Sequence, residues 1–582
     1  MKSEFRQKAD TLFFQNSSPS EPSEYPLRAL MACAVALPMM CAYQQPPQPA
    51  FFTQALSIAL WSGALFVLAF STRAPLRRGN SHVDRSRRVQ LFSVIALWTL
   101  LLMTLVAHVA LGLTPLFIAA PIALNLALAL CLSLVVAFLS PSPARLERWL
   151  RALLLGVLIA ALFNAVVALL QTVAPHWTDD VWVARIVAPS ARAGGNLRQP
   201  NQLATLMLWG LLATSFFWRQ RPWLWIAFSV PLLATLLATE SRTGMVGLSF
   251  IAVVAMLRSR RVRAWRAKGW LALLVTLVPL AWFAENIFTR STANAAMSLR
   301  VALWRDVVEI ISQQPWLGVG WGQLNFVWTL TPLPARAADV FDHAHSLPLH
   351  LAAELGLPIT LLVLALLCAS LWCARAAMQS RLGIAAALLL ATVLLHSLIE
   401  YPLWFSYFLL PSAFFLAWLG AADSCAGAAA DEWPTPSPRN WLGFALKVAA
   451  VTTLTAVIYS GHEYGKAASI HRVADQPDAL DRAIVRARGS PLYGNFGDYA
   501  AIMLAGDAAT ASLFIRPIRH VLDERLLGAY ARMLARSGDT TRAAYVVERA
   551  REFPADPAFA NLPSIEASSA SARPLTARDF RR

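Results

Sequence analysis

The 582-residue sequence is 57% hydrophobic and only 14% charged, with a mean hydropathy of +0.51. A water-soluble chain of this length does not carry so many long apolar runs, so a purely soluble protein is excluded. The formal net charge of +17 would suit a nucleic-acid binder, but its placement does not. Arginines gather in short loops between apolar runs: Arg73, Arg77, Arg78, Arg85, Arg87 and Arg88; Arg145, Arg148 and Arg151; Arg258, Arg260, Arg261, Arg263 and Arg266. Such clusters orient membrane spans, and the sequence supports no nucleic-acid partner.

In chain order, a polar stretch to about Pro26 reads as a cytoplasmic tail before an uncleaved anchor. About 13 apolar segments follow, near 27–43, 53–70, 90–110, 118–139, 152–172, 203–217, 223–238, 244–257, 269–285, 351–372, 383–398, 404–420 and 441–460. The expected fold class is therefore all-α, a polytopic membrane protein. With the amino terminus inside, the basic loops fall on the cytoplasmic side, and 44–52 and 111–117, which lack Lys and Arg, fall outside. Residues 173–202, the large loop 286–350 and everything after about Ser460 then lie on the outer, periplasmic face. The cytoplasmic loops leave no room for a nucleotide-binding domain, and no P-loop or GxGxxG is present.

The expected organisation is a tail at 1–26, a membrane domain at 27–460, a helical periplasmic domain at 461–565 and a disordered tail at 566–582. Residues 421–440, with Pro434, Pro436 and Pro438, form a linker before the last span. The stretch from Glu524 to Pro557 repeats apolar residues at helical spacing on either side of Ser537-Gly538-Asp539. It reads as a helical hairpin resembling one tetratricopeptide unit. The six cysteines (Cys33, Cys41, Cys131, Cys368, Cys373 and Cys425) lie in or beside apolar runs and show no metal-ligand spacing.

Polar clusters interrupt this apolar chain, and the topology puts them all on the outer face. In RAGGNLRQPNQLA, Arg192 and Arg198 are phosphate donors, while Gln199, Asn201 and Gln202 are groups of the kind that bind sugar hydroxyls. The alternative is a polar turn capping a helix. In ESRTG, Arg242 sits outside against the charge rule, either paired locally with Glu240 or docking a diphosphate. The segment Ser298–Leu324 predicts an amphipathic interfacial helix presenting Arg300 inward, followed by a glycine-rich turn with Trp316 and Trp321. FDHAHSLPLHLAAELGLP brings Asp342, His343, His345 and His350 to a helix start at Ser346 and Pro348. A histidine just before a helix amino terminus tends to stay neutral, and can accept a proton beside an anion site. Zinc is the rival reading of Asp342, His343 and His345, but no third ligand stands at the usual spacing. In HSLIEYPLW, His396 and Glu400 would share a helix face, as a structural pair or as site support.

His345-Ser346 followed by Gly356, the GGNLRQPN loop and HSLIEYPLW together resemble the bacterial O-antigen ligase and polymerase superfamily, and within it the protein O-oligosaccharyltransferases. The likeness covers most of the chain from about Leu150. It departs from the family pattern at Ile359, where a small or hydroxylated residue is usual, and at Ser346, where many members have Asn. The resemblance implies a GT-C-like polytopic glycosyltransferase using a glycan on undecaprenyl diphosphate at the outer leaflet of the inner membrane. It implies His345 as catalytic base, with His343 as a candidate to share that role. Arg242 and Arg300 would bind the diphosphate, helped by Arg192 and Arg198. Gln199, Asn201, Gln202, Glu240, Trp321, Ser346, Glu354, His396 and Glu400 would support the site. No cofactor and no metal are expected, because arginines can hold the leaving-group charge. The leading function is transfer of the oligosaccharide to Ser or Thr of an exported protein such as a pilin. Ligation to lipopolysaccharide core and O-antigen polymerisation follow. A transporter is disfavoured: Glu240, Glu285, Glu354 and Glu400 sit toward the outer face, with no intramembrane carboxylate relay.

Overall fold

A computed structural model describes residues 24–70, 81–139, 143–186, 192–258, 291–333, 336, 341–422, 440–520, 522–552, 575 and 579. The expected span at 269–285, most of both terminal tails, the 423–439 linker and parts of two basic loops lie outside these residues. Regular structure among the described residues is helical. The first half comprises α1 (Tyr25–Met40), α2 (Phe51–Phe70), α3 (Ser81–Ala110), α4 (Leu116–Leu139), α5 (Pro143–Val173), α6 (Pro200–Trp218), α7 (Pro222–Ala238) and α8 (Arg242–Arg258). After these come α9 (Ser291–Gln313), α10 (Leu324–Leu330), α11 (Leu347–Leu355), α12 (Leu357–Cys373), α13 (Arg381–His396), α14 (Ser406–Ala422) and α15 (Asn440–Arg472). The carboxy-terminal helices are α16 (Pro477–Arg488), α17 (Gly494–Ala505), α18 (Ala511–Phe514), α19 (Glu524–Arg536) and α20 (Thr540–Arg551).

Apolar chain in hydrocarbon has no water to satisfy its backbone, so each N–H bonds within its own segment. Proline starts α6, α7, α11 and α12, where a missing N–H costs nothing. Gln199 caps α6, its side chain accepting from the Gln202 N–H at 2.7 Å. Stretches Phe51–Phe70, Arg85–Ala110, Leu116–Phe138, Ala144–Val173 and Trp441–Arg472 are long and apolar enough to cross a bilayer, and five further apolar helices are shorter. The protein is a membrane protein with several candidate spans.

The bundle packs α1 on α2 and α5, α15 on α2, α14 on α4, α12 on α3, and α6 on α5, α7 and α13. Trp61, Trp149, Trp209, Phe408 and Phe414 fill its core. The Trp209 indole N–H reaches the Leu389 carbonyl at 2.9 Å, joining α6 to α13.

The stretch expected as one span at 351–372 is two helices, α11 and α12, broken at Gly356. Gly356 has φ +84°, a left-handed value that favours glycine, and a Cβ there would collide with the Trp316 carbonyl. The break lets the Pro315–Gly320 turn lie against the backbone of α11: the Val319 N–H donates to Ala353 O at 2.9 Å and the Leu357 N–H to Pro315 O at 2.8 Å. α11 thus folds beside α9 rather than continuing the span.

A second core sits beside the bundle. Leu303 and Val307 of α9, Phe326 and Trp328 of α10, and Leu526, Leu527, Tyr545 and Val546 of α19 and α20 bury one another. The large loop and the carboxy-terminal helices therefore share one interior. At 33 residues, α15 is roughly 50 Å long, more than the ~30 Å hydrocarbon layer, so its last turns leave the membrane. There Tyr464 stacks on Phe51 (3.9 Å between ring centroids) and accepts the Gln48 N–H at 3.0 Å. The hairpin expected near Glu524–Pro557 is α19 and α20, each capped by an aspartate, Asp523 and Asp539.

Candidate active site

Glu400 lies past the end of α13, before a short turn at Pro402–Trp404. Its buried carboxylate gathers residues from three other parts of the chain. Oε2 meets His345 Nδ1 at 2.9 Å. Oε1 accepts from the Arg300 guanidinium of α9 and from Asn201 Nδ2 at 3.0 Å. Asn201 Oδ1 in turn accepts from Ser241 Oγ at 2.8 Å and Arg192 at 3.3 Å. Arg192 also donates to the Thr239 carbonyl at 2.8 Å. Arg192, Arg242 and Arg300 are close enough for their charges to act on one another, with Glu240 and Glu400 as the nearby carboxylates. Three guanidiniums against two carboxylates leave an excess of positive charge, which is a site for an anion.

Burial opposes the charge on Glu400. The hydrogen bond and charge of His345, with the Arg300 charge, outweigh it and hold the carboxyl below its ordinary range. An ionised Glu400 accepts only, so Nδ1 of His345 carries a proton, and in the neutral ring it is Nε2 that presents a lone pair. His345 has φ +47°, an unusual conformation for a residue with a side chain. Strain of this kind persists where surrounding contacts over-determine it, and here Glu400 holds the ring while Ser346 begins α11.

His343 has a different setting. Its Nδ1 pairs with Asp342 Oδ1 at 2.6 Å, and its ring stacks on Tyr401 at 4.1 Å between centroids. Burial pulls the His343 pKa down, with Asp342 only partly offsetting it. Desolvation pushes the Asp342 carboxyl up, and the hydrogen bond and charge of His343 outweigh that and keep it low. His343, His345, Ser346, Glu400, Tyr401 and Trp404 line a small hollow with room for about one water molecule.

The structure thus brings His345, Glu400, Arg300, Asn201, Arg192 and Arg242 together, with Glu240 within electrostatic range and His343 across Tyr401. It sets the other expected residues apart from that cluster. Arg198 pairs with Asp180 at 2.7 Å and donates to the Ala42 carbonyl at 3.0 Å. Gln199 is a helix cap, and Gln202 accepts the Tyr407 hydroxyl at 2.6 Å. His396 pairs with Thr205 Oγ1 at 2.8 Å rather than with Glu400. Glu354 is buried, accepting the N–H groups of Gly322 at 2.8 Å and Leu324 at 3.1 Å, with His350 Nε2 at 3.2 Å. It ties the glycine turn to α11. Trp321 is buried, its N–H reaching His108 Nδ1 at 3.2 Å. Sequence reasoning misses Ser241, Tyr401 and Trp404 as site residues; the aromatics directly following Glu400 are the signal that was there to find.

Fold and site define a helical membrane protein carrying a histidine–carboxylate pair among arginines at the ends of its apolar helices. Three family descriptions match the chain: O-antigen ligase over residues 227–364, virulence factor membrane-bound polymerase (C-terminal) over 384–564, and protein glycosylation ligase over 193–218. Those segments contain His345 with Arg300 and Arg242, Glu400, and Asn201, respectively. The chain is 28% identical over 263 residues to the general O-oligosaccharyltransferase of Acinetobacter baylyi, covering 40% of this chain and 44% of that one. It is 24% identical over 248 residues to the ComP-specific O-oligosaccharyltransferase of the same organism, covering 40% and 45%. The matches span less than half the length of these relatives. Over these segments the chain is similar to O-antigen ligases and to protein O-oligosaccharyltransferases, which supports a glycosyltransferase-type enzyme.

Proposed function

We propose that the protein is a glycosyltransferase that moves an oligosaccharide en bloc from undecaprenyl diphosphate to Ser or Thr hydroxyls of exported, pilin-like proteins. The observation that carries this reading is Glu400, which joins His345 to Arg300 and Asn201. His345 Nε2 takes the proton of the acceptor hydroxyl as its oxygen bonds the anomeric carbon. The bond from that carbon to the diphosphate oxygen breaks, and the leaving group's charge develops against Arg192, Arg242 and Arg300. Base assistance supplies roughly 10²–10⁴ in rate, and cationic donors aimed at developing charge supply more. A single in-line displacement inverts the anomeric carbon, and the arginines take the role a divalent ion has in other transferases. With about 13 spans and the amino terminus inside, the site faces the periplasm from the inner membrane. The carboxy-terminal domain expected at 461–565 then stands on the same side as an exported acceptor.

The match to a membrane-bound polymerase over 384–564 favours a second reading, transfer to another glycan, either lipopolysaccharide core or a growing O-antigen. Glycoproteins and lipopolysaccharide ladders, read from the same wild-type, deletion and His345→Ala cultures, separate the two. Loss of glycoprotein signal with unchanged ladders, and a membrane-inserted variant, is the expected result. Changed ladders with intact glycoproteins would move the assignment to the second reading, and an active His345→Ala protein would remove His345 as the base.

A further inference from the structure

His345 holds a left-handed backbone, φ +47°, that a residue with a side chain keeps only under constraint. That angle is a rotation from the peptide plane His345 shares with Ala344, so whatever fixes the plane fixes where the ring starts from. The carbonyl of this plane, Ala344 O, accepts the Trp304 indole N–H at 2.9 Å. Ala344 is fully buried, so its carbonyl has no water to turn to. Two further bonds hold the loop on either side. The Ala344 N–H donates to His350 Nδ1 of α11 at 3.3 Å, and the Leu347 N–H donates to the Ser397 carbonyl at the end of α13 at 2.7 Å. Trp304 follows Arg300 by four residues, so both project from one face of α9. Leu303 and Val307 lie fully buried in the second core and fix the rotation of that helix. One helix thus brings Arg300 to Glu400 Oε1 and an indole to the loop whose His345 meets Oε2.

We propose that Trp304 is a positioning residue for His345: its N–H holds the Ala344–His345 peptide plane, keeping Nδ1 on Glu400 and Nε2 toward the acceptor hydroxyl. The inference rests on the reading of His345 as the base. Trp304 touches neither substrate in this scheme and gives no proton to the reaction. Without the indole N–H, the buried carbonyl lacks its donor and the peptide turns to find another. The left-handed angle then relaxes, and the imidazole leaves Glu400. Misplacing a reacting group by about 1 Å costs up to about 10²-fold in rate. Arg300 keeps its own contact with Glu400, so donor binding is spared.

The test uses the full-length protein in detergent with undecaprenyl-diphosphate-linked oligosaccharide as donor. The acceptor probes are an exported protein that wild-type cells glycosylate and, separately, lipopolysaccharide core. Trp304→Phe keeps an aromatic ring without the N–H. Trp304→Met and Trp304→Gln match each other in length, but only the amide carries an N–H, as far from Cβ as the indole N–H is. With the acceptor that the wild-type protein uses, transfer at saturating donor should fall by about 10- to 100-fold in Trp304→Phe and Trp304→Met. Donor KM should stay unmoved, and Trp304→Gln should run several-fold faster than both. Packing alone would reverse that order, with Trp304→Phe fastest and Trp304→Gln slowest, and such a ranking would overturn the role. Wild-type rates in Trp304→Phe and Trp304→Met, or a raised donor KM with the saturated rate intact, would overturn it too, leaving the transferase reading standing. Should Trp304→Phe fail to insert in the membrane, the comparison of Trp304→Gln with Trp304→Met decides alone. Wild-type transfer to neither probe, or an active His345→Ala protein, would sink the base reading and this role with it.

Discussion

At the level of single residues, His345 needs an ionised partner on Nδ1 if its Nε2 is to act as a base. Glu400→Gln keeps the shape but loses the charge that stabilises the imidazolium, and an amide can turn its NH₂ toward Nδ1 and favour the wrong tautomer. The expected outcome is a fall of roughly 10²–10⁴ in single-turnover transfer rate, measured beside unchanged expression and membrane insertion. Arg242→Ala acts differently, because in the proposed reaction it removes a cation from where the leaving-group charge develops. Transfer should fall by roughly 10²–10³, and Arg242→Lys should recover only part of it, since an ammonium lacks the planar fork. The residue types here are readable from the chain, since His345, Arg242 and Arg300 stand out as polar groups at the ends of apolar runs. What pairs with Glu400 is not. Spacing offers His396 four residues away, whereas the partner found is His345, 55 residues distant. The Glu400 N–H still donates to the His396 carbonyl at 3.0 Å, but the side chains part, His396 to Thr205 and Glu400 to His345.

Among the elements, the break between α11 and α12 decides whether His345 reaches Glu400 at all. Hydropathy alone reads 351–372 as continuous because Gly356 is a small gap in an apolar run. The left-handed turn comes from the Pro315–Gly320 segment lying against α11, a contact that no local pattern encodes. Gly356→Ala forces a side chain into φ +84° and against the Trp316 carbonyl, which should cost about 1–3 kcal/mol and appear as a lower melting temperature in detergent. Gly465→Ala in α15 provides the contrast. Nothing lies within 4 Å of a Cβ there, so the better helix former should stabilise by up to about 1 kcal/mol. The helices themselves are well marked in the sequence, since α6, α7 and α8 each fall within a few residues of the apolar runs that announce them.

For the whole molecule, the carboxy-terminal helices are tied to the membrane part by a few buried polar contacts. Arg519 donates to Gln323 Oε1 at 3.0 Å, to the Gly112 carbonyl at 3.3 Å and to the Leu113 carbonyl, linking this domain to the α3–α4 turn and to the start of α10. Arg519→Met leaves those carbonyls short of a donor, so amide exchange across α17 and α18 should quicken and proteolysis after α15 should rise. His520 is the neighbouring pH-sensitive group. Burial lowers its pKa to about 4, with Asp342 partly opposing, and it packs edge-on to Phe117 and Phe496. A histidine whose folded pKa is depressed leaves stability intact above its unfolded value near 6.5 and loses it as pH falls toward the folded one. The melting temperature should therefore drop between about pH 6.5 and 4, and His520→Phe should flatten that part of the curve. By itself the sequence determined the membrane class, the helices and the pool of histidines and arginines, because apolar length and charge placement are local properties of a chain in a bilayer. Only the tertiary structure decided which of those groups meet, because the contacts among His345, Glu400, Arg300 and Asn201 exist only once helices far apart in sequence have packed together.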